Sequence, residues 1–303
     1  MKIILIALFL VHSQIYAQDF VSLLAEGAPL TVVEFDQLVS PAVNGQTSLN
    51  LSTLNAQTGL RSDHHTVTGG LRYQHLNLSS KEPLLRDYFN MQLSLGYRRN
   101  FEEGKFWSLM GSFGSSSDQP FKKSRDNTIG LNYVRKFSDR WFGVVNYSNN
   151  RAFLNNVPLP GFFWVKEMSR ERGLILGFPF IYWMTPIADH WSIRYTGMVP
   201  WTHRLKLLYT KFGFFRPYLG LEQAPQSFFR HDREAREDRF FWFERRLGLG
   251  LEGGLTRNLR FDLFTGLIYD RRFFETNDFD PEKKSSETLD NSYFASINLR
   301  YAF

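Results

Sequence analysis

The stretch that most restricts this chain is residues 291–303, which reads N-S-Y-F-A-S-I-N-L-R-Y-A-F. Tyr293, Ala295, Ile297, Leu299, Tyr301 and Phe303 share one parity, while Ser296, Asn298 and Arg300 share the other. Side chains of an extended strand alternate between its faces, so this pattern predicts a strand with one apolar and one polar face. Such a strand needs an apolar layer on one side only. In a soluble sandwich that layer is a facing sheet; around a membrane barrel it is lipid.

Composition separates the two solutions only in part. Aromatic residues make up 17% of the 303 residues, yet mean hydropathy is negative. A helical membrane protein needs several apolar runs of about 20 residues, and the sequence has none. A barrel hides its apolar residues at every second position, so its average looks soluble. Cysteine is absent, which excludes disulfides, thiolate metal sites and a lipidated cysteine. The formal net charge is +6, but the basic residues form no runs of the kind that bind nucleic acid, and none is expected as a partner. At the start, Lys2, the apolar run 3–11 and Ala17 have the layout of an export signal spanning 1–17. Residues 18–30 are then a short periplasmic segment, and 31–303 the barrel.

The alternation recurs along the chain. In 89–101, Phe89, Met91, Leu93, Leu95, Tyr97 and Phe101 interleave with Asn90, Gln92, Ser94, Gly96, Arg98 and Asn100. Similar segments are 31–35, 47–60, 65–78, 107–113, 127–137, 141–147, 174–183, 191–199, 205–209, 214–221, 243–255 and 259–269. Residues 151–172 have room for a further strand. Aromatic residues sit at strand ends, as in Phe101 and Trp107, Phe137 and Trp141, Trp183 and Trp191, where an interfacial girdle belongs. Short connections alternate with long polar ones at 79–88, 115–126, 225–239 and 274–290, the pattern of short periplasmic turns and long outer loops. The expected fold is all-β: a single up-and-down antiparallel transmembrane β-barrel of 12–14 strands, ending in a strand that finishes on Phe.

Two resemblances bear on this expectation. The final strand, with Tyr301 and Phe303, resembles the C-terminal signal of bacterial outer-membrane barrels. That likeness implies location in the outer membrane of a Gram-negative-type cell and recognition by barrel-assembly machinery. Pro158-Leu159-Pro160-Gly161, the run Phe162 to Val165, and Gly177-Phe178-Pro179 resemble landmarks of an uncharacterised outer-membrane barrel family without an assigned activity. The likeness spans most of the expected mature chain and implies a barrel in contact with outer-membrane lipid and lipopolysaccharide.

No catalytic constellation emerges. Adjacent strand residues face opposite ways, so His64-His65 cannot easily chelate one ion. A lipid-modifying enzyme would need a base beside a nucleophile; His75 near Ser79 or Ser94 is the nearest approach. The run Arg230 to Arg239 mixes both charge signs, which suits lipopolysaccharide phosphates or, more simply, a loop held by its own ion pairs. Asp278, Asp280, Glu282 and Glu287 lack the Gly-centred spacing of a Ca²⁺ loop. No metal or cofactor is expected. Extending each alternation inward gives candidate pore-lining residues: Arg72, Arg98, Lys136, Arg194, Arg204, Lys206, Arg246, Arg260 and Arg300, against Glu244, Glu252 and Asp262. That surplus of cations points to a passive pore for small solutes with weak anion preference. The alternatives are a structural or adhesin-like surface barrel and a lipid-modifying enzyme.

Overall fold

The computed structural model describes residues 30–42, 47–79, 84, 86–101, 104–151, 154–169, 172–198, 202–277, 279 and 286–303. The expected leader 1–17 and all but the last residue of segment 18–30 lie outside them.

The strands are β1 (Val32–Ser40), β2 (Ser48–Arg61), β3 (His65–Ser79), β4 (Tyr88–Asn100), β5 (Phe106–Ser117), β6 (Asn127–Lys136), β7 (Trp141–Ser148), β8 (Leu159–Met168) and β9 (Gly173–Phe178). They continue as β10 (Phe180–Ala188), β11 (Trp191–Met198), β12 (Thr202–Tyr209), β13 (Phe215–Gln223), β14 (Gln226–Phe228), β15 (Arg239–Gly254), β16 (Leu259–Thr276), β17 (Glu287–Leu289) and β18 (Ser292–Ala302). Leaving aside the short β14 and β17, each pairs antiparallel with the next along the chain, and β1 pairs with both β2 and β18, so the sheet closes. β14 follows β13 along β15, and β17 precedes β18 along β16, so the ring has sixteen strands. Closure removes the free edges that lipid cannot hydrogen-bond.

Sixteen exceeds the expected 12–14 for two local reasons. The segment 151–172 contains β8. The run 174–183, expected as one strand, is two strands joined at Pro179. The weakly patterned segments 31–35 and 47–60 are both genuine strands, β1 and β2.

The outer face is an apolar belt. Leu93 and Leu95 on β4, Phe113 on β5, Ile129 and Leu131 on β6, Leu219 on β13 and Leu249 on β15 are all exposed. The belt runs from Leu255, just past the end of β15, to Leu247 on β15; eight residues at about 3.3 Å each, tilted about 40°, span roughly 20 Å, close to the height of a bilayer's apolar band. At the turn end an aromatic ladder follows the wall: His65 stacks on Tyr97, Tyr97 meets Trp107, and Trp107 stacks on Tyr133. The described termini also lie at this end, with Phe303 N–H donating to the Thr31 carbonyl at 3.0 Å.

Candidate permeation path

All twelve candidate lining residues carry the inward parity of their strands, but their surroundings differ around the ring. On β11–β16 the cations meet carboxylates. Arg194 on β11 donates to both oxygens of Glu252 on β15, each at 2.6 Å. Lys206 on β12 bridges Glu252 at 3.0 Å and Asp262 on β16 at 2.5 Å. Arg216 on β13 adds a third cation to Glu252 at 2.9 Å. Arg204 lies 3.8 Å from Asp262 and 3.9 Å from Glu222, and Arg246 pairs with Glu222 at 3.6 Å and with Glu244. The Tyr218 hydroxyl donates to Asp262 at 2.5 Å, and Lys206 Nζ sits 3.8 Å from the centre of its ring. Tyr218 has room because Gly250 lies opposite it in register; a Cβ at Gly250 would collide with the ring. Arg216 and Glu222 were not among the sequence candidates. Extending the 214–221 alternation by one residue, with Arg216 in phase, would have found both.

On β3–β6 the cations find other company. Arg98 donates to Asn100 at 2.7 Å and lies 3.9 Å above the Phe106 ring. It is nine-tenths buried, and its Nη2 has no hydrogen-bond partner. Lys136 reaches Asp139 in the following turn at 3.2 Å. Arg72 is also buried, on β3. At the turn end Arg260 and Arg300 face each other directly across β16 and β18; Arg260 is exposed and Arg300 half-buried.

Between these regions the inner wall turns apolar. Phe106, Val134, Phe142, Val144, Phe163, Ile175, Phe180, Tyr182 and Met184 form one buried cluster along β5–β10. The opposite parity of β8–β10 is also apolar, with Phe162, Leu176 and Trp183 exposed on the belt. Strands β8–β10 are therefore apolar on both faces, contrary to the simple pattern of apolar outside and polar inside.

The loop end carries a cap. Along β15 the burial pattern alternates from Arg245 downward, but Arg239–Glu244 is buried on both faces. The change coincides with a bulge: Phe243 pairs with Arg272 and Arg245 with Tyr269, leaving an extra residue on β16, where Asp270 has φ 49°. A bulge bends its strand, and above this one β14, β15 and β16 lean over the mouth. Backbone bonds tie the tip to the far wall. Phe229 N–H donates to the Ser116 carbonyl at 2.8 Å, and Phe229 bridges Ser117 of β5 in parallel. Positions β5 and β13 are eight steps apart in either direction around the sixteen-strand ring, so this bridge spans its diameter. Tyr88 of β4 stacks on Phe240 of β15 with ring centres 4.5 Å apart, and Gln74 donates to Gln226 at 2.9 Å.

The charged run 230–239 is part of this cap and is not merely a loop held by its own charges. Arg230 does pair with Asp232 at 3.0 Å, but it also pairs with Glu275 on β16. Arg233 pairs with Asp126 across the mouth, and Arg239 donates to Asn150 at 3.2 Å. Burial raises the Asp232 carboxyl, but the hydrogen bond and charge of Arg230, with Arg86 behind it, hold it below the usual carboxylate range. Asp118, His231 and Asp232 bring ligand atoms within 4.8 Å of one another. Arg86 already supplies the positive charge there, 3.0 Å from Asp118 and 3.3 Å from Asp232.

The remaining sequence candidates sit apart. His65 bonds Tyr97 at 2.6 Å on the outer wall, while His64 lies in the turn before it. His75 meets Asp87 at 3.0 Å and stacks on Phe89, whereas Ser94 lies opposite Gly70 farther down the strand. Asp278, Asp280 and Glu282 lie outside the described residues.

A closed antiparallel ring, an apolar belt of bilayer height and an aromatic ladder at its edge decide the class. This is a transmembrane β-barrel of the outer-membrane type. No protein-family model and no curated protein matches the chain. Among solved structures it is similar to a bacterial polysaccharide outer-membrane secretin (10% identity, 91% of this chain and 99% of that one, TM-score 0.39). It is likewise similar to an outer-membrane channel from Pseudomonas putida F1 (9% identity, 90% and 94%, TM-score 0.34) and to the TodX monoaromatic hydrocarbon channel (8% identity, 90% and 90%, TM-score 0.35). Scores of this size carry no inference about role. The ring, the belt and the cap are this chain's own.

Proposed function

We propose that the barrel is an outer-membrane channel for small solutes, weakly anion-preferring, with its loop-end mouth restricted by the 224–238 cap. The observation that carries this reading is the sixteen-strand ring, because a wall of that count encloses more width than its own side chains fill and leaves an aqueous path in porins. The anion preference rests on Arg98, whose guanidinium meets an amide and an aromatic ring instead of a carboxylate, and on lumen-side cations that outnumber the lumen-side carboxylates. The β11–β16 cations add little, because Glu222, Glu244, Glu252 and Asp262 answer them. The selectivity is therefore modest and weakens with salt, as the Debye length falls to about 10 Å at 0.1 M. On this reading residues 1–17 direct export, the loop end faces outward, and the final strand engages the assembly machinery.

Purified barrel in a planar bilayer under a salt gradient gives the test. The expected reversal potential has the sign of anion preference, and Arg98→Glu with Arg260→Glu moves it toward cations. A cation-selective wild type overturns the preference, and a well-folded barrel that conducts no ions overturns the channel.

A further inference from the structure

The lumen is not the only place where arginines gather. Among the described strand residues near the loop end, Arg245 and Arg272 are the arginines or lysines left partly exposed on the outward face, Arg239 of the same parity as Arg245 being buried; the outward Arg99 and Arg135 lie at the turn end. They flank one carboxylate. Arg245 Nη1 is 3.0 Å from Asp270 Oδ2, and Arg272 Nε donates to Asp270 Oδ1 at 2.6 Å. Arg245 Nε donates to Gln223 on β13 at 3.1 Å. The trio itself brings two guanidiniums to one carboxylate. The Arg245 side chain is 44% exposed and that of Arg272 is 29% exposed.

The bulge creates this arrangement. Without the extra residue on β16, Arg271 and Arg272 would exchange faces. With it, Arg271 turns inward, with its guanidinium 5.4 Å from the Trp242 ring, and Arg272 shares the outer face of Phe243 and Arg245. The left-handed backbone at Asp270, an uncommon conformation that Asp tolerates, sets the carboxylate between the two arginines.

What lies beneath the cluster identifies its ligand. Two residues below Gln223, Arg245 and Tyr269 on the same outer face, a row of side chains runs in register across five strands: Leu205, Leu221, Leu247, Leu267 and Tyr293. Leu221, Leu247 and Leu267 are exposed. By the belt arithmetic, Arg245 sits about 25 Å above Leu255, at the upper edge of the apolar band. A guanidinium pair directly above a leucine row matches an amphiphile with an anionic head and acyl chains. Planar guanidiniums suit phosphate oxygens through charge-assisted hydrogen bonds.

We propose that Arg245 and Arg272 form a seat for the phosphate of a membrane lipid, whose chains lie along Leu221, Leu247 and Leu267. The proposal rests on the reading of the barrel as membrane-spanning, but not on its conducting ions. Native mass spectrometry of the folded barrel released from detergent gives the test, with three probes: phosphatidic acid, diacylglycerol of the same chains, and inorganic phosphate. Phosphatidic acid is expected to remain bound at least about tenfold more than diacylglycerol, with no retained phosphate. Arg245→Gln with Arg272→Gln removes most of the bound phosphatidic acid, and Arg99→Gln does not. Equal retention of diacylglycerol overturns the head-group seat, and retention of inorganic phosphate makes it a site for soluble anions. A folded double variant that keeps wild-type retention overturns the role of the two arginines. The probe comparison on the wild type stands even where the double variant fails to fold. Conductance measured on the same preparation separates a failure here from a failure of the channel reading.

Discussion

The inner wall of the barrel has two unlike halves. On β11–β16 the lumen side carries most of the charged groups, and nearly every charge there has a partner of opposite sign. On β8–β10 the lumen side is as apolar as the belt, and its packing reaches β5–β7 through Phe106, Val134, Phe142 and Val144. The charged half is held by directional bonds in a region of reduced dielectric, where losing one partner strands the others. The apolar half is held by packing, where losing one side chain leaves only a gap. A single barrel can therefore respond to mutation and to salt in two different ways around its circumference.

The largest expected effect is in the charged half. Glu252→Gln leaves Arg194, Lys206 and Arg216 converging on a neutral amide. The expected loss is about 3–5 kcal/mol, because unpaired buried charge remains. Denaturant unfolding followed by the heat-modifiable gel shift would measure it. In the apolar half, Phe163→Ala should cost about 3 kcal/mol. That loss should be insensitive to salt, whereas added salt should partly relieve the Glu252→Gln defect by screening the three cations. If the two variants show the same salt response, the halves are not physically distinct.

How much of this could be read from sequence follows the same division. Phase placed Arg194, Lys206, Arg246, Glu252 and Asp262 on the lumen side because their strands alternate cleanly. The strands β8, β9 and β10 were obscured because Phe162-Phe163-Trp164-Val165 and Phe180-Ile181-Tyr182-Trp183-Met184 are apolar on both faces. A period-2 signal needs contrast, and here there is none, so one strand stayed hidden and two merged. The cap was illegible for another reason. Phe229 meets Ser117 across the ring, more than a hundred residues away in the chain, and no local pattern announces such a contact. The bulge at Asp270 likewise shows only in pairing. Local charge balance in 230–239 suggests a self-sufficient loop, although Asp232, Arg230 and Arg233 also pair with Arg86, Glu275 and Asp126 elsewhere in the chain.

A smaller effect probes the cap by pH. Asp232 carries a depressed carboxyl, so its contribution to cap anchoring is present above the ordinary carboxylate value and lost as pH falls through the lowered one. Amide exchange across 229–233, corrected for intrinsic rates, should be unchanged from neutral pH to about pH 5 and faster below about pH 4. Loosening already complete at neutral pH would remove Asp232 from the anchor. The smallest effect expected is that of Arg135→Gln, an exposed side chain at the turn end, which should shift stability by less than about 0.5 kcal/mol by the same gel assay.

The absence of cysteine makes the central claim directly testable. Ser117→Cys with Phe229→Cys introduces the only two thiols, placed where the cap bridges the opposite wall. Single-channel conductance recorded from the oxidised barrel, and then after reductant in the same bilayer, asks whether a channel exists and whether this segment restricts it. The account predicts a low, steady conductance while the disulfide holds and a higher, fluctuating one once it is reduced. Identical conductance in both states, or no current in either from folded protein, would contradict it.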